Sequence, residues 1–219
     1  RARRHACPCA LAHGGAAVSD AKRIPHAQAQ RLAEELRGLL MDGCERIEIA
    51  GSIRRQSPDV KDIELVTIAR SRPALFPDMP GDDMLNEIIR LRVRERKLSW
   101  RGRGGGAVPE PENLDGRRKY DLFFRDMPVD LFNVRPPAEW GAIFAIRTGP
   151  AEYSQALVTR VQSRGYRCHE GRLISTLPST VGEARPTPEE KDFIEACGFP
   201  YESPHLRQAR VLPARLPRR

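Results

Sequence analysis

Hydrophobic positions recur at helical spacing in the first part of the chain. Between residues 25 and 43, Ala and Leu side chains occupy positions 29, 32, 33, 36, 39 and 40. Apolar residues at steps of three and four place one apolar stripe along a helix. Pro25 suits the first turn of that helix and Gly43 suits its end. This pattern predicts an amphipathic helix.

Four short apolar runs in the first two thirds of the chain have the length and β-branched content of strands. Two of them, residues 47–50 and 63–68, flank a Gly-Ser turn and two arginines. The other two, residues 120–124 and 129–134, are separated by the sequence Arg-Asp-Met-Pro, which is typical of a turn. The second pair therefore predicts a β-hairpin.

The pattern changes after Pro136 and Pro137. Residues 138–146 and 150–164 have helical spacing, Glu170 and Gly171 mark a short hairpin, and residues 188–197 predict a last helix. Together the elements predict an α+β fold with a lobe over residues 21–135 and a smaller lobe over residues 136–207. The basic tails, residues 1–20 and 208–219, have no hydrophobic period and are expected to be disordered.

Arginines alternate with other residues in the segment from 84 to 106. The segment begins with helical spacing and ends in a glycine run. The alternating arginines between these two parts suit a strand as well as a helix. One interpretation is a solvated face followed by a flexible loop, and the other is an edge that contacts phosphates. The expected DNA contacts of the second interpretation are Arg94, Arg96, Arg101 and Arg103.

Composition narrows the class of protein only in part. The net charge of +8 over 219 residues favours binding to polyanions such as DNA, because basic side chains release counterions from phosphates, but it identifies no partner by itself. Five cysteines form an odd set with one close pair, which favours a reducing compartment, and we expect the cytoplasm. No apolar run has the length that crosses a bilayer, so we expect no membrane partner.

Acidic residues interrupt the apolar run at 63–68. Asp62 and Glu64 are two residues apart, so in a strand they share one face, where two carboxylates favour binding of a cation. Asp130 lies in a similar apolar setting and completes a set of three acids that suits two Mg²⁺ ions better than zinc. The alternative interpretation is that each acid lies at a strand end or on an exposed face.

The Gly51-Ser52 turn before these acids has features of a phosphate site. Glycine allows close approach of the backbone, serine offers a hydroxyl and an amide, and the start of a helix presents free N–H groups. Arg54 and Arg55 follow with forked donors for phosphate oxygens. A strand, a Gly-Ser turn, two arginines and Asp-x-Glu in this order are more specific than any one of these features.

These motifs resemble those of the family X DNA polymerases, within the nucleotidyltransferase superfamily. The resemblance runs from Lys-Arg-Ile-Pro at residues 22–25 through GSIRR, DIE and VDLF to EWGAIFAIRTGP and the closing GFPYESPHLR, and thus covers roughly residues 22–207. It implies a nucleotidyltransferase palm, with a mixed or antiparallel sheet and helices on one face, followed by a small α/β thumb lobe.

The resemblance also implies roles for single residues. Asp62, Glu64 and Asp130 match the metal-binding acids, which hold two Mg²⁺ ions that Mn²⁺ replaces, and Asp130 matches the acid that helps to deprotonate the 3′-hydroxyl. The implied contacts with the incoming (d)NTP are Arg23, Gly51, Ser52, Arg55, Thr148 and Gly149. The implied activity is addition of nucleotides to a DNA 3′ end, as in a small repair-type DNA polymerase.

The sequence departs from the family pattern at several of these positions. Glu64 replaces an aspartate, Ile146 and Arg147 replace an aromatic pair, and Pro128 replaces an arginine that holds the primer phosphate. Two other classes of function stay open. One is nucleotidyl transfer to a protein, an RNA or a small molecule, and the other is a non-catalytic DNA-binding accessory protein.

Overall fold

The chain divides into two compact units, each with its own hydrophobic core. The computed structural model describes residues 23–72, 82–135 and 138–209. The first unit contains residues 23–72 and 82–135, and the second contains residues 138–209. Both units combine helices with β-sheet, and the largest sheet is mixed, so the predicted α+β class is confirmed. None of the helices in the described ranges is long and apolar enough to span a bilayer.

The first unit alternates short strands with three α-helices. The helices are α1 (His26–Leu40), α2 (Gly51–Arg54) and α3 (Met84–Arg94), with a 3₁₀ turn at Met41–Gly43. The strands are β1 (Ile24–Pro25), β2 (Cys44–Ile49), β3 (Asp59–Val60), β4 (Ile63–Ala69), β5 (Ser71–Arg72), β6 (Asp82–Asp83), β7 (Leu98–Arg101), β8 (Ala107–Val108), β9 (Lys119–Phe124) and β10 (Met127–Asn133).

A six-stranded sheet forms the centre of the first unit. Its order is β2-β4-β10-β9-β7-β8, in which β4 and β10 run parallel and the other neighbours run antiparallel. Two small pairs, β1 with β3 and β5 with β6, complete the unit. The parallel pair joins two strands that are far apart in the sequence, so it needs the crossover that residues 70–126 supply.

One face of this sheet carries the hydrophobic core. Alternate strand residues and the apolar stripes of two helices are buried in it, namely Ala29, Ala33, Leu36 and Leu40 of α1, Leu85 and Ile89 of α3, and Ile63, Leu65, Leu122, Val129 and Leu131 of the sheet. Successive side chains of a strand point to opposite faces. The residues that alternate with the core positions in β4, β9 and β10 therefore lie on the other face of the sheet.

The segment with alternating arginines forms a helix followed by a strand. The carboxylate of Asp83 caps α3 by accepting hydrogen bonds from the amides of Leu85 at 3.1 Å and Asn86 at 3.4 Å. The helix ends at Arg94, and Arg96 has a positive φ of 58° between α3 and β7. The arginines at 90, 92 and 94 thus belong to a helix. Their alternation in the sequence could not distinguish a helix from a strand.

The hairpin predicted in the second half of this unit is confirmed, with a tighter turn than its sequence indicated. Only Arg125 and Asp126 lie in the turn, at positive φ values of 47° and 64°. Two successive residues with positive φ form the turn type whose twist matches that of a hairpin. Met127 and Pro128, expected in the turn, belong to β10 instead.

The second unit contains three α-helices and a three-stranded sheet. Its elements are α4 (Trp140–Thr148), α5 (Ala151–Ser163), β11 (Tyr166–His169), β12 (Arg172–Ser175), β13 (Ala184–Arg185), α6 (Glu190–Ala196) and a 3₁₀ helix (Pro204–Ala209). The strands pair antiparallel in the order β11-β12-β13. The predicted hairpin at Glu170 and Gly171 connects β11 and β12, and both residues have positive φ.

A buried ion pair holds the last part of the second unit. The guanidinium of Arg207 is fully buried and donates to the Glu190 carboxylate at 2.6 Å. It also lies over the rings of Tyr153 and Tyr201, at 5.3 and 5.4 Å from their centroids. These contacts attach the 3₁₀ helix to the core of the unit. The tail expected to be disordered from residue 208 onward thus includes the last two residues of this helix. The rest of that tail, residues 210–219, and the predicted tail at residues 1–20 lie outside the described ranges.

Two glycines test how closely the helices are packed. A Cβ at Gly141 in α4 would overlap the backbone carbonyls of Thr187 and Glu189, whereas a Cβ at Gly38 in α1 would meet no atom within 4 Å. Gly141→Ala is expected to lower the free energy of unfolding of the second unit by about 1–3 kcal/mol, since backbone has to move. Urea denaturation measures this change.

Gly38→Ala is the matched control. It is expected to raise the free energy of unfolding by about 0.5–1 kcal/mol, because alanine loses less backbone entropy than glycine in a helix. An unchanged midpoint for Gly141→Ala would contradict the close packing of α4 against the segment before α6.

Candidate functional site

Three carboxylates form a row across neighbouring strands of the large sheet. Asp130 of β10 is the register partner of Glu64 in β4 and of Asp121 in β9. Register partners point to the same face, and neighbouring strands lie about 4.8 Å apart. The row lies on the face opposite the core, and all three residues are half-buried. The structure thus brings together two acids that are distant in sequence and adds Asp121, which the sequence analysis missed.

Asp62 lies immediately before β4, beside this row. Burial raises the pKa of its carboxyl group, the charge of Lys61 opposes that rise, and the charge of Asp130 adds to it. The Lys61 ammonium is 3.5 Å from the Asp62 carboxylate. Asp62 precedes Ile63, whose register partner is Val129, so Asp62 lies beside the part of β10 that carries Asp130. A carboxylate in this position favours a proton or a cation.

Two basic side chains bind the carboxylate of Asp130, one at each oxygen. The Nη2 atom of Arg101 in β7 contacts Oδ1 of Asp130, and the Nζ atom of Lys119 in β9 lies 3.1 Å from its Oδ2. Both cations also contact Oδ1 of Asp121, Arg101 at 3.3 Å and Lys119 at 2.8 Å. The two acids and the two bases therefore form one charge cluster.

Lys119 keeps its positive charge in this cluster. Burial lowers the pKa of its ammonium group, but the charges of Asp130 and Asp121 and the hydrogen bonds to them raise the pKa more, and the net direction is upward. Lys119 and Asp121 alternate with the buried Tyr120, Leu122 and Phe124 in β9. This period of two was present in the sequence and would have placed both residues on the polar face.

Of the four arginines predicted to contact DNA, one lies in the charge cluster and three are exposed. Arg101 contacts Asp130 and Asp121. The three exposed arginines occupy the end of α3, the connection to β7 and the loop after β7, at positions Arg94, Arg96 and Arg103. For the three exposed residues, contact with DNA stays a prediction.

The Gly51-Ser52 turn lies directly beside Glu64. The amide of Ala50 donates to the carbonyl oxygen of Glu64 at 2.8 Å, which places the start of α2 next to that residue. Gly51 has a φ of 60°, and a Cβ at this position would overlap the Glu64 carboxylate. Glycine is therefore required here both by backbone conformation and by space.

The hydroxyl of Ser52 is buried and has no hydrogen-bond partner among the described residues. A buried polar atom without a partner is unfavourable unless a ligand or water supplies one. Arg55 follows at the end of α2 and is half-buried. The turn beside Glu64 thus provides an unsatisfied hydroxyl, which is the arrangement expected of a phosphate contact.

The N-terminal strand is attached to this turn. β1 pairs with β3, the backbone amide of His26 donates to Pro58 at 2.9 Å, and its Nε2 atom is 3.0 Å from the carbonyl oxygen of Ile53. Arg23, a predicted triphosphate contact, is exposed and directly precedes β1. His26 connects the start of α1 to α2. No local pattern in the sequence predicts this contact, because it joins segments that are distant in the chain.

The remaining two predicted nucleotide contacts belong to the second unit. Thr148 is the last residue of α4 and is fully buried. Gly149 follows it, and its amide donates to the carbonyl oxygen of Ala145 at 3.1 Å. The two residues thus form the end of α4.

The acids match a divalent metal ion by their chemistry and their position on one sheet face. Carboxylate oxygens are the ligands that Mg²⁺ prefers. In the part of the chain that the structure describes, no three His, Cys, Asp or Glu side chains converge into a group that could hold a metal ion. The carboxylate of Asp130 binds Arg101 and Lys119 in this structure. A metal ion at Asp130 would therefore compete with these two cations for the carboxylate oxygens.

Comparison with known proteins identifies no family for this chain. No protein-family model matches the sequence, and no curated protein matches it either.

The contact between the turn and Glu64 gives a stability prediction. Gly51→Ala is expected to lower the free energy of unfolding of the first unit by about 2 kcal/mol or more, through backbone strain and overlap with the carboxylate. In a Glu64→Ala background the same change is expected to cost about 1 kcal/mol less, because the carboxylate is gone while the backbone strain and the contact with the Cβ of residue 64 remain. A double-mutant cycle in urea measures the difference, and equal costs in both backgrounds would refute the contact.

Proposed function

We propose that the chain is a metal-dependent nucleotidyltransferase that adds nucleotides from (d)NTPs to a DNA 3′ end, as a small repair-type DNA polymerase does. The main support is the position of Glu64 and Asp130 on adjacent strands, with Asp62 beside them and the unsatisfied Ser52 hydroxyl next to Glu64. The sequence resemblance to family X polymerases and the mixed sheet with a polar face agree with it.

Asp62, Glu64 and Asp130 are the residues that would hold two Mg²⁺ ions, with Mn²⁺ as a substitute. Such ions, when bound, stabilise the attacking and the leaving oxygens of an in-line displacement at phosphorus. The raised pKa of Asp62 agrees with this role, because a bound cation offsets the burial that disfavours its charge.

The other residues of the turn would bind the triphosphate. The Ser52 hydroxyl donates a hydrogen bond to a phosphate oxygen, and Gly51 allows the turn to pack directly against Glu64. Arg55 and Arg23 neutralise phosphate charge. The carboxylate of Asp130 accepts the proton of the attacking 3′-hydroxyl. Thr148 and Gly149 remain predicted nucleotide contacts on the basis of the resemblance.

Arginines supply the proposed DNA contacts. Arg94, Arg96 and Arg103 have exposed side chains, which suits binding to the phosphate backbone in water. The net charge of +8 adds attraction that does not depend on the base sequence. Binding through such contacts weakens steeply with salt concentration.

Asp130→Asn tests the proposed activity. The exchange keeps the shape of the side chain and removes its charge, so extension of a gapped DNA primer with Mg²⁺ or Mn²⁺ is expected to fall about a hundredfold or more. The assay uses deoxy- and ribonucleotides in parallel and measures the initial rate of extension.

Asp126→Asn is the matched control on the same hairpin. Asp126 is exposed in the β9–β10 turn at a φ of 64°, a conformation that asparagine tolerates, so this variant is expected to keep the wild-type rate. Wild-type protein that is inert on DNA but labels a protein, an RNA or a small molecule would favour transfer to that acceptor. Protein that binds DNA and transfers nucleotides to no acceptor would favour an accessory role.

A further inference from the structure

Arg101 and Lys119 are shared between two carboxylates with different positions in the sheet. Asp130 lies on the central strand β10, next to Glu64. Asp121 lies on β9, on the other side of Asp130 from Glu64, so two strand spacings, roughly 10 Å, separate Asp121 from Glu64. One ion that binds both Glu64 and Asp130 is thus nearer to Asp130 than to Asp121.

We infer that Asp121 is a positioning residue that retains Arg101 and Lys119 when Asp130 binds a divalent cation. This inference rests on the proposed metal-binding role of Asp130. Both basic groups already contact Oδ1 of Asp121, so neither must cross the sheet to remain paired. Asp121 therefore lowers the cost of freeing the Asp130 carboxylate.

The geometry of the cluster supports this transfer. The Lys119 ammonium is closer to Asp121, at 2.8 Å, than to Asp130, at 3.1 Å. The Asp121 side chain is 41% exposed and that of Asp130 22%, so the Asp121 carboxylate has more freedom to follow the cations. Without Asp121, each cation that leaves Asp130 would lose its carboxylate partner in a half-buried place, which is unfavourable.

The charge cluster leads to two predictions, in which the affinity for Mn²⁺ changes in opposite directions. Lys119→Met removes a competitor and is expected to tighten binding of Mn²⁺ by about threefold to tenfold. Asp121→Asn removes the negative charge of the second acceptor and is expected to weaken binding by a similar factor of about threefold to tenfold. Electron paramagnetic resonance measures free Mn²⁺ in a titration of the full chain with Mn²⁺ alone, without DNA or nucleotide.

The double variant separates positioning from simple charge effects. If Asp121 acts through Lys119, the effect of Asp121→Asn is expected to shrink by about threefold or more in the Lys119→Met background. If Asp121 acts on the ion only through space, the two effects multiply. Lys61→Met is the matched control, because Lys61 contacts Asp62 and is expected to combine with Asp121→Asn without coupling.

The outcomes distinguish this inference from the proposed activity. Multiplying effects, or no change in Mn²⁺ affinity in Asp121→Asn, overturn the inference, while loss of binding in Asp130→Asn still supports the metal site. If wild-type protein binds no Mn²⁺, the inference is also overturned, and the primer extension assay decides the activity separately. Should Lys119→Met fail to fold, as judged by urea denaturation, Lys119→Gln takes its place in the same cycle.

Discussion

The parallel pairing of β4 with β10 is the constraint on which the rest of the first unit depends. It joins segments that are distant in the chain and fixes Asp130 opposite Glu64. On one face the same register buries Ile63, Leu65 and Val129. A slip by one residue would move the acids into the core and the apolar side chains into water. The core therefore fixes the positions of the acids as firmly as it fixes its own packing.

The polar face of the sheet is stabilised by alternation of charge. Acids on β9 and β10 contact bases on β7 and β9, and both bases, Arg101 and Lys119, contact both acids. Half-buried like charges would repel each other strongly without such neighbours. The same pairing means that any ligand of Asp130 would compete with Arg101 and Lys119, so its affinity would depend on the whole charge cluster and not on the ligand contacts alone.

Much of the secondary structure could be predicted from the sequence because it depends on local periodicity. The helix from His26, the strand from Ile63 and the hairpin through Asp126 all follow from apolar spacing and turn residues. The boundary between α3 and β7 could not be predicted, because alternating arginines fit both elements and the sequence does not mark the positive φ of Arg96 that separates them.

For the candidate site, the sequence predicted most of the acidic residues that belong to it but not which residues they contact. Asp62, Glu64 and Asp130 stand out as acids in apolar segments, but the position of Arg101 against Asp130 depends on the order of strands β7, β9 and β10. Asp121 becomes part of the row only through its register with Asp130. Such pairings join distant segments and leave no local pattern in a single sequence.

The buried pair of Arg207 and Glu190 defines where the second unit ends. Glu190 begins α6, and its carboxylate receives its charge-balancing contact from the last turn of the described chain. A chain shortened before Arg207 would keep every α-helix and strand of the unit and lose only part of the 3₁₀ helix, yet it would bury an uncompensated negative charge, at a cost of about 3–5 kcal/mol. The smallest stable form of this unit is therefore set by electrostatics and not by secondary structure.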